Sequence, residues 1–237
     1  MLNSEKLKKK FEDKMDKKWL DKLWPFLSSD KMMKVFAYLK SQKTFRIIYP
    51  SFDDCFNAFK YTPWDEVRVV IIGQDPYHDG SAHGLAFSAG PNAKRCPPSL
   101  KNIILEVEDD CYDGLNLERA SSWSLIGWAE QGVLLLNTAF TVEKNRPGSH
   151  SKLWDEFTTN VISKLNSEKT GLIYLLWGAH AQSYASLIDE NANHIIKTGH
   201  PSPLNTSNPF KGCRCFSAVN KIIEGQNGPE FTINWEK

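Results

Sequence analysis

Net charge is nearly absent from this chain: 29 Lys and Arg stand against 28 Asp and Glu, a formal +1. Global basicity is therefore excluded as a means of holding a polyanion, and any nucleic-acid contact has to come from a local patch. Long hydrophobic runs are missing as well, and none approaches the length of a membrane span. Cysteines are few and scattered (Cys55, Cys96, Cys111, Cys213, Cys215), an odd set unlike a disulfide framework. A reducing compartment is expected, cytoplasmic or, in a eukaryote, nuclear. Met1 to Lys18 carries both signs of charge without the apolar centre of a signal peptide, and Glu5, Glu12 and Asp13 count against a mitochondrial presequence. Lys6, Lys8, Lys9 and Lys10 read as a solvated helix or frayed tail rather than a nuclear address. There is no linker, low-complexity block or repeat. The expectation is one domain over residues 1–237, with 1–17 a charged helix or flexible extension.

What is present suffices for a sizeable core: 41% hydrophobic and 12% aromatic residues, including eight tryptophans expected mostly in core or interface positions. The charge is unevenly spread. Glu106, Glu108, Asp109, Asp110 and Asp113 form an acidic run, with Lys94, Arg95 and Lys101 just before it. Lys144, Arg146, Lys211 and Arg214 fall in other loops. The plain expectation is a solvated, mixed-charge surface.

Four apolar runs have strand length: 67–72, 133–136, 172–177 and the weaker 194–198. Between them lie helical patterns: 31–43 capped by Asp30, a segment through Glu108 capped by Ser99, then 125–131, 152–165, 179–188 and 214–223. Alternation of strand and helix predicts a parallel α/β sheet with helices on both faces. Each strand ends in polar or backbone-accessible groups: Gln74 and Asp75, then Asn137, then Gly178, then His200. In a parallel sheet these ends converge on one edge, where ligands bind. Gly73-Gln74-Asp75-Pro76-Tyr77-His78 is the most informative of these ends, because it sets a carboxylate, a phenol and an imidazole directly after a buried strand. Two stiff loops, Cys96-Pro97-Pro98-Ser99 and His200-Pro201-Ser202-Pro203-Leu204, suit a grip on phosphates through hydroxyl and N–H groups.

These motifs, with Ala82-His83-Gly84-Leu85-Ala86-Phe87-Ser88, residues 128–138, Leu175-Leu176-Trp177-Gly178 and Phe210-Lys211-Gly212-Cys213-Arg214, closely resemble the family 1 uracil-DNA glycosylases. The resemblance is collinear from about residue 18 to 237. It implies a three-layer α/β/α sandwich around a central four-stranded, mainly parallel sheet. It also implies an enzyme that flips uracil out of single- or double-stranded DNA and cleaves the N-glycosidic bond, with no metal or organic cofactor. By the same resemblance Asp75 activates the attacking water and stabilises the cationic sugar, and His200 bonds the charge developing on uracil O2. Asn137 reads the N3/O4 edge, Phe87 stacks on the base, Gln74 helps hold it, and Tyr77 blocks the thymine methyl. Pro98, Ser99, Gly178, Ala179 and Ser202 contact the DNA backbone, and Leu204 enters the duplex. A monomer is implied, with a DNA-mimicking protein inhibitor as a possible partner and no membrane association.

The chain departs from the family pattern in four places. Ala179 stands where a serine is usual, so a hydroxyl contact to phosphate is lost. The 79–81 loop is one residue short, 205–209 lacks a basic residue, and Cys215 replaces a common histidine. His78, Asp79 and His83 have no recognised metal-ligand spacing, and Cys213-x-Cys215 is too short for a zinc knuckle. Asn205-Thr206-Ser207 spells a glycosylation sequon that is idle in a reducing compartment. Two other functions stay open: a glycosylase-fold protein that mainly binds DNA or a replication partner, and a mismatch-type glycosylase acting on thymine or other lesions. The Asp75/His200 pair argues against the first and Tyr77 against the second.

Overall fold

A computed structural model describes residues 4–115, 123–205 and 210–237. In chain order its helices are α1 (Ser4–Lys9), α2 (Lys17–Leu27), α3 (Asp30–Gln42), α4 (Asn57–Tyr61), α5 (Pro98–Cys111), α6 (Ile126–Ala129), α7 (Ser151–Glu168), α8 (Gly178–Gln182) and α9 (Cys215–Asn227). Its strands are β1 (Ile48–Tyr49), β2 (Val69–Gly73), β3 (Val133–Asn137), β4 (Val142–Glu143), β5 (Ile173–Trp177) and β6 (His194–Thr198).

The four apolar runs pair as a parallel sheet in the order β3-β2-β5-β6. The register sets Gly73 beside Asn137 and Trp177 beside Thr198, so the polar ends meet along one edge. Because successive side chains of a strand point to opposite faces, each strand feeds two cores. Val70, Ile72, Leu134, Leu136, Tyr174 and Leu176 pack with Trp19, Leu23, Val35, Phe59 and Trp154 from α2, α3, α4 and α7. Val69, Ile71, Val133, Leu135, Ile173 and Leu175 pack with Ile103, Trp128, Phe216 and Trp235 on the other side. That is the expected three-layer α/β/α arrangement, and it explains the unbroken apolar runs. β6 is an edge strand with His194 and Lys197 exposed, which accounts for its weaker pattern.

Several local expectations need correction. The cap of α3 is Ser29, whose Oγ accepts from Met32 N at 3.3 Å; Asp30 is already helical. Ser99 is no cap: Pro98 opens α5 after Pro97, and Ser99 falls in its first turn. The single helix expected over 179–188 is α8 followed by a 3-10 turn, Ser183–Leu187. β2 starts at Val69, since Val67 closes the 3-10 turn Trp64–Glu66. The antiparallel pair β1–β4 was not foreseen; two residues per strand give no readable period.

The amino-terminal segment contains the short charged helix α1, one of the two forms expected for it, but it is anchored rather than frayed. Phe11 is fully buried and its ring meets those of Trp24, Phe36, Phe52 and Phe56 at 5.4–6.3 Å. Nor is the acidic run simply solvated, because Glu106 is 2% exposed and Glu108 is buried as well.

Candidate active site

Gly73 ends β2 where a side chain cannot fit: a Cβ there would lie 2.5 Å from Asn137 Oδ1 and 2.9 Å from Ala86 Cβ. The backbone beyond it is tied to the segment after β3. Thr138 N donates to Gly73 O and Ala139 N to Gln74 O, both at 2.9 Å. The Thr138 hydroxyl adds a bond to Gln74 O at 3.0 Å. Asp75 leaves this brace half-buried, with Oδ2 accepting from Gly148 N at 2.8 Å and Oδ1 facing the Ser151 hydroxyl at 3.5 Å. The bond from Gly148 N fixes the direction of the carboxylate.

Asp75 lines a cavity of about 350 Å³ together with Tyr77, Phe87, Asn137, His200 and Pro147. His200 is held by its own loop: Ser202 N donates to His200 Nδ1 at 3.0 Å. A neutral ring that accepts at Nδ1 carries its proton on Nε2. Burial, and then the neighbouring His180, pushes the His200 pKa below its usual value, so the neutral form dominates at neutral pH. Gly178, at φ +83°, lets the end of β5 close on this ring, since a Cβ there would come within 2.7 Å of His200 Cβ.

Phe87 adopts φ +60°, a backbone conformation uncommon for a bulky residue. Two contacts hold it there: the Tyr77 hydroxyl donates to Phe87 O at 3.0 Å, and the Trp177 ring lies 5.1 Å from the Phe87 ring. Burial pushes the Tyr77 phenol up, so it stays neutral. Asn137 is buried beside Gly73, and its Oδ1 finds no hydrogen-bond partner among the described residues. An unpartnered buried acceptor in a cavity wall fits a ligand that brings a donor.

Of the residues singled out from the sequence, Gln74, Asp75, Tyr77, Phe87, Ser99, Asn137, His200 and Ser202 line this one cavity. Pro98, Gly178, Ala179 and Leu204 do not. Pro98 and Ala179 are exposed in the first turns of α5 and α8, and Gly178 packs against His200. Leu204 is 91% exposed, with its N–H donating to Ser202 Oγ at 3.2 Å. Thr206 to Pro209, where most of the unusual loop falls, lie outside the described residues. His83 has a structural use: Ser88 Oγ accepts from Leu125 N at 2.8 Å and shares a hydrogen bond with His83 Nε2 at 2.6 Å. Asp79 is engaged in a turn with Ser81.

The family model for the uracil DNA glycosylase superfamily matches residues 59–224. The chain belongs to that superfamily. The uracil-DNA glycosylase of Serratia proteamaculans (strain 568) is 49% identical over 183 residues, covering 76% of this chain and 79% of its own. That of Xanthomonas oryzae pv. oryzae (strain PXO99A) is 43% identical over 213 residues, covering 89% and 86%. The crystal structure of mimivirus uracil-DNA glycosylase matches with a TM-score of 0.83 at 26% identity, over 98% of this chain and 89% of that one. A variant of the mimivirus protein in complex with UGI matches with the same TM-score, over 99% and 91%. The family, fold class and enzyme class expected from the motifs are borne out.

Around the site of this uracil-DNA glycosylase superfamily member stand residues that sequence reasoning missed. His180 Nε2 meets Thr138 Oγ1 at 2.8 Å; because that hydroxyl donates to Gln74 O, the imidazole is the donor. Gly148, in a turn, and Ser151, the first residue of α7, bind Asp75 from a segment whose sequence carries no motif. Glu106 accepts from Gly212 N at 2.5 Å and Arg214 N at 2.8 Å. One turn later Asp110 accepts from Phe216 N, Ser217 N and Ser217 Oγ. Asn102 donates to Pro201 O at 2.8 Å, so α5 supports both ends of the loop that carries Leu204. The four-residue spacing of Glu106 and Asp110 on one helix face was the available signal.

Proposed function

We propose that this chain excises uracil from DNA by hydrolysing the N-glycosidic bond, releasing free uracil and leaving an abasic site. One observation carries the reading: a fixed carboxylate and a neutral imidazole bearing Nε2–H share a small cavity with an unpartnered asparagine oxygen. Departure of the base places positive charge on the sugar and negative charge on uracil O2. Asp75 answers the first and orients water, while the Nε2–H of His200 donates to the second. Because this imidazole is neutral before the reaction, its donation strengthens as the base becomes anionic without a prior proton transfer. Asn137 Oδ1 accepts from uracil N3–H, a donor that cytosine lacks, and its amide N–H meets O4. Phe87 stacks on the base, Gln74 helps hold it, and Tyr77 stands where thymine carries its methyl group.

The substrate is uracil in single- or double-stranded DNA, bound by the monomer, with Leu204 filling the gap in a duplex. Ser99, Ser202 and the Gly178–Ala179 turn hold phosphates by hydroxyl and N–H groups. A protein presenting acidic groups with phosphate-like spacing would occupy the same cleft.

The test is base release from matched oligonucleotides containing uracil, thymine or cytosine, single-stranded and duplex, with Asp75→Asn alongside. Release of uracil alone, slowed by at least roughly 100-fold in the variant, is the expected result. DNA binding without release of any base overturns the reading and leaves a DNA-binding module.

A further inference from the structure

We infer that a cationic and aromatic patch at the β3 end of the cleft is a second DNA contact, which grips single-stranded DNA beyond the flipped nucleotide. The inference rests on the proposed activity for its substrate. It begins with a side chain that packing leaves unexplained: Phe45, in the turn after α3, is 84% exposed, and Ile47 beside it is 53% exposed. A phenylalanine so exposed gains nothing from the fold.

Three of the four charged residues around it are cationic. Arg46, Lys144 and Arg146 border a depression of about 250 Å³ that Phe45 also lines. Buried Glu143 accepts from Arg46 Nη1 at 2.9 Å and Arg146 Nη1 at 2.5 Å. One carboxylate therefore sets two guanidiniums in place, and each keeps further N–H groups for another acceptor. With Lys144 counted, the patch retains a surplus of two positive charges. Pre-set cations beside an open ring match a strand that offers phosphates and unstacked bases in alternation. An acidic peptide would satisfy the cations but supplies no planar face for Phe45.

The patch is continuous with the catalytic cavity. The β1–β4 pair runs on through a Lys144 N to Ile47 O bond at 2.8 Å, and Asn145 N donates to His78 O at 3.1 Å. Pro147 already lines the cavity and Gly148 N holds Asp75. Lys144 and the catalytic carboxylate's anchor are thus four residues apart, at most about 14 Å of chain. Topology fixes the direction. β3 and β6 are the two edges of the sheet; the Leu204 loop follows one and the patch follows the other, with the cavity between. A strand crossing the cavity away from Leu204 would head toward the β3 edge, where residues 144–146 and Phe45 line the depression. Only an unpaired strand can use it fully, because duplex bases are already stacked on one another.

The test compares Phe45→Ala, Phe45→Trp and Lys144→Gln with the unmodified protein. Two single-stranded uracil substrates are used, one ending a nucleotide from the uracil on each side and one extending well beyond it. Binding of a long uracil-free strand is measured by fluorescence anisotropy. Phe45→Ala is expected to raise KM on the long substrate and Kd for the uracil-free strand about tenfold, within the range for one stacked base. It leaves kcat, and KM on the short substrate, unchanged, and Phe45→Trp restores the long-substrate KM and the strand Kd. Lys144→Gln flattens the salt dependence of Kd by roughly 0.7 in log–log slope. Equal KM values on both lengths with unchanged strand affinity overturn the inference. If the unmodified protein releases no uracil, the proposed activity fails, while the anisotropy result still decides the patch.

Discussion

At the scale of single residues the site is a set of groups whose protonation and direction are imposed by neighbours. His200 is the clearest case. Its folded pKa is depressed by burial, so the neutral ring persists below the ordinary histidine range of about 6.5. The rate of uracil release is expected to stay level as pH falls through that range, and to drop only below it, when a proton on Nδ1 breaks the Ser202 bond. A pH–rate profile whose acid limb sits at or above 6.5 would contradict this. In the proposed mechanism Tyr77 serves two ends, which substitutions can separate. Tyr77→Phe keeps the ring at the thymine methyl but loses the bond to Phe87 O, so uracil release slows while thymine stays excluded. Tyr77→Ala loses both and admits thymine at a low rate. Base release from the matched oligonucleotides tells these outcomes apart.

At the scale of elements, α5 is a platform for a loop it does not belong to. Glu106→Gln replaces one of two acceptor oxygens with an amide NH2 group, a donor that faces backbone N–H donors, a loss of about 1.5–3 kcal/mol. Part of that loss falls on thermal stability, and part shows as a raised KM on duplex uracil-DNA with little change on single strands. Leu204→Ala, on the same loop, should produce the duplex defect without the loss in Tm, because Leu204 is exposed. Calorimetry paired with the two substrates distinguishes an anchor from a wedge.

The elements also show what a sequence can and cannot disclose. Three of the sheet strands were legible because both faces of a parallel sheet are covered, which turns each into an unbroken apolar run, whereas the edge strand β6, with His194 and Lys197 exposed, gave only a weak one. Asp75, Asn137 and His200 were legible because each follows one of these runs. The β1–β4 pair was not, since two residues carry no period, and Phe11 was hidden among lysines that suggested a solvated tail. Ser29, Asp30 and Ser99 are all plausible caps by residue type, and only the backbone geometry chooses among them. Glu106 and Asp110 looked like solvated acids because their partners, backbone N–H groups about a hundred residues on, have no sequence signature.

At the scale of the whole molecule, buried histidines make the fold sensitive to acid. Burial depresses the pKa of His83, His150, His180 and His200 alike. The unfolded chain takes up protons near pH 6.5 that the folded chain refuses. Stability is thus fully present above that pH and declines as pH falls through the lowered folded values. Urea midpoints measured from pH 8 to 5 should fall most steeply below 6.5; a flat series would show that these rings are protonated in the folded state. The amino-terminal segment belongs to the same cooperative unit through Phe11. Phe11→Ala is expected to cost about 3–5 kcal/mol, seen as a lower urea midpoint.

The register that sets Gly73 beside Asn137, with β5 and β6 continuing the row, has a practical outcome. No piece of this polypeptide shorter than the whole sheet owns a working site, because its groups are contributed by neighbouring strands rather than by one contiguous stretch. Residual uracil release after heating should therefore read out the surviving folded fraction directly, making the enzyme its own thermometer. By the same logic, a chain cut in two stays silent until its halves find each other, and turnover then reports their reunion.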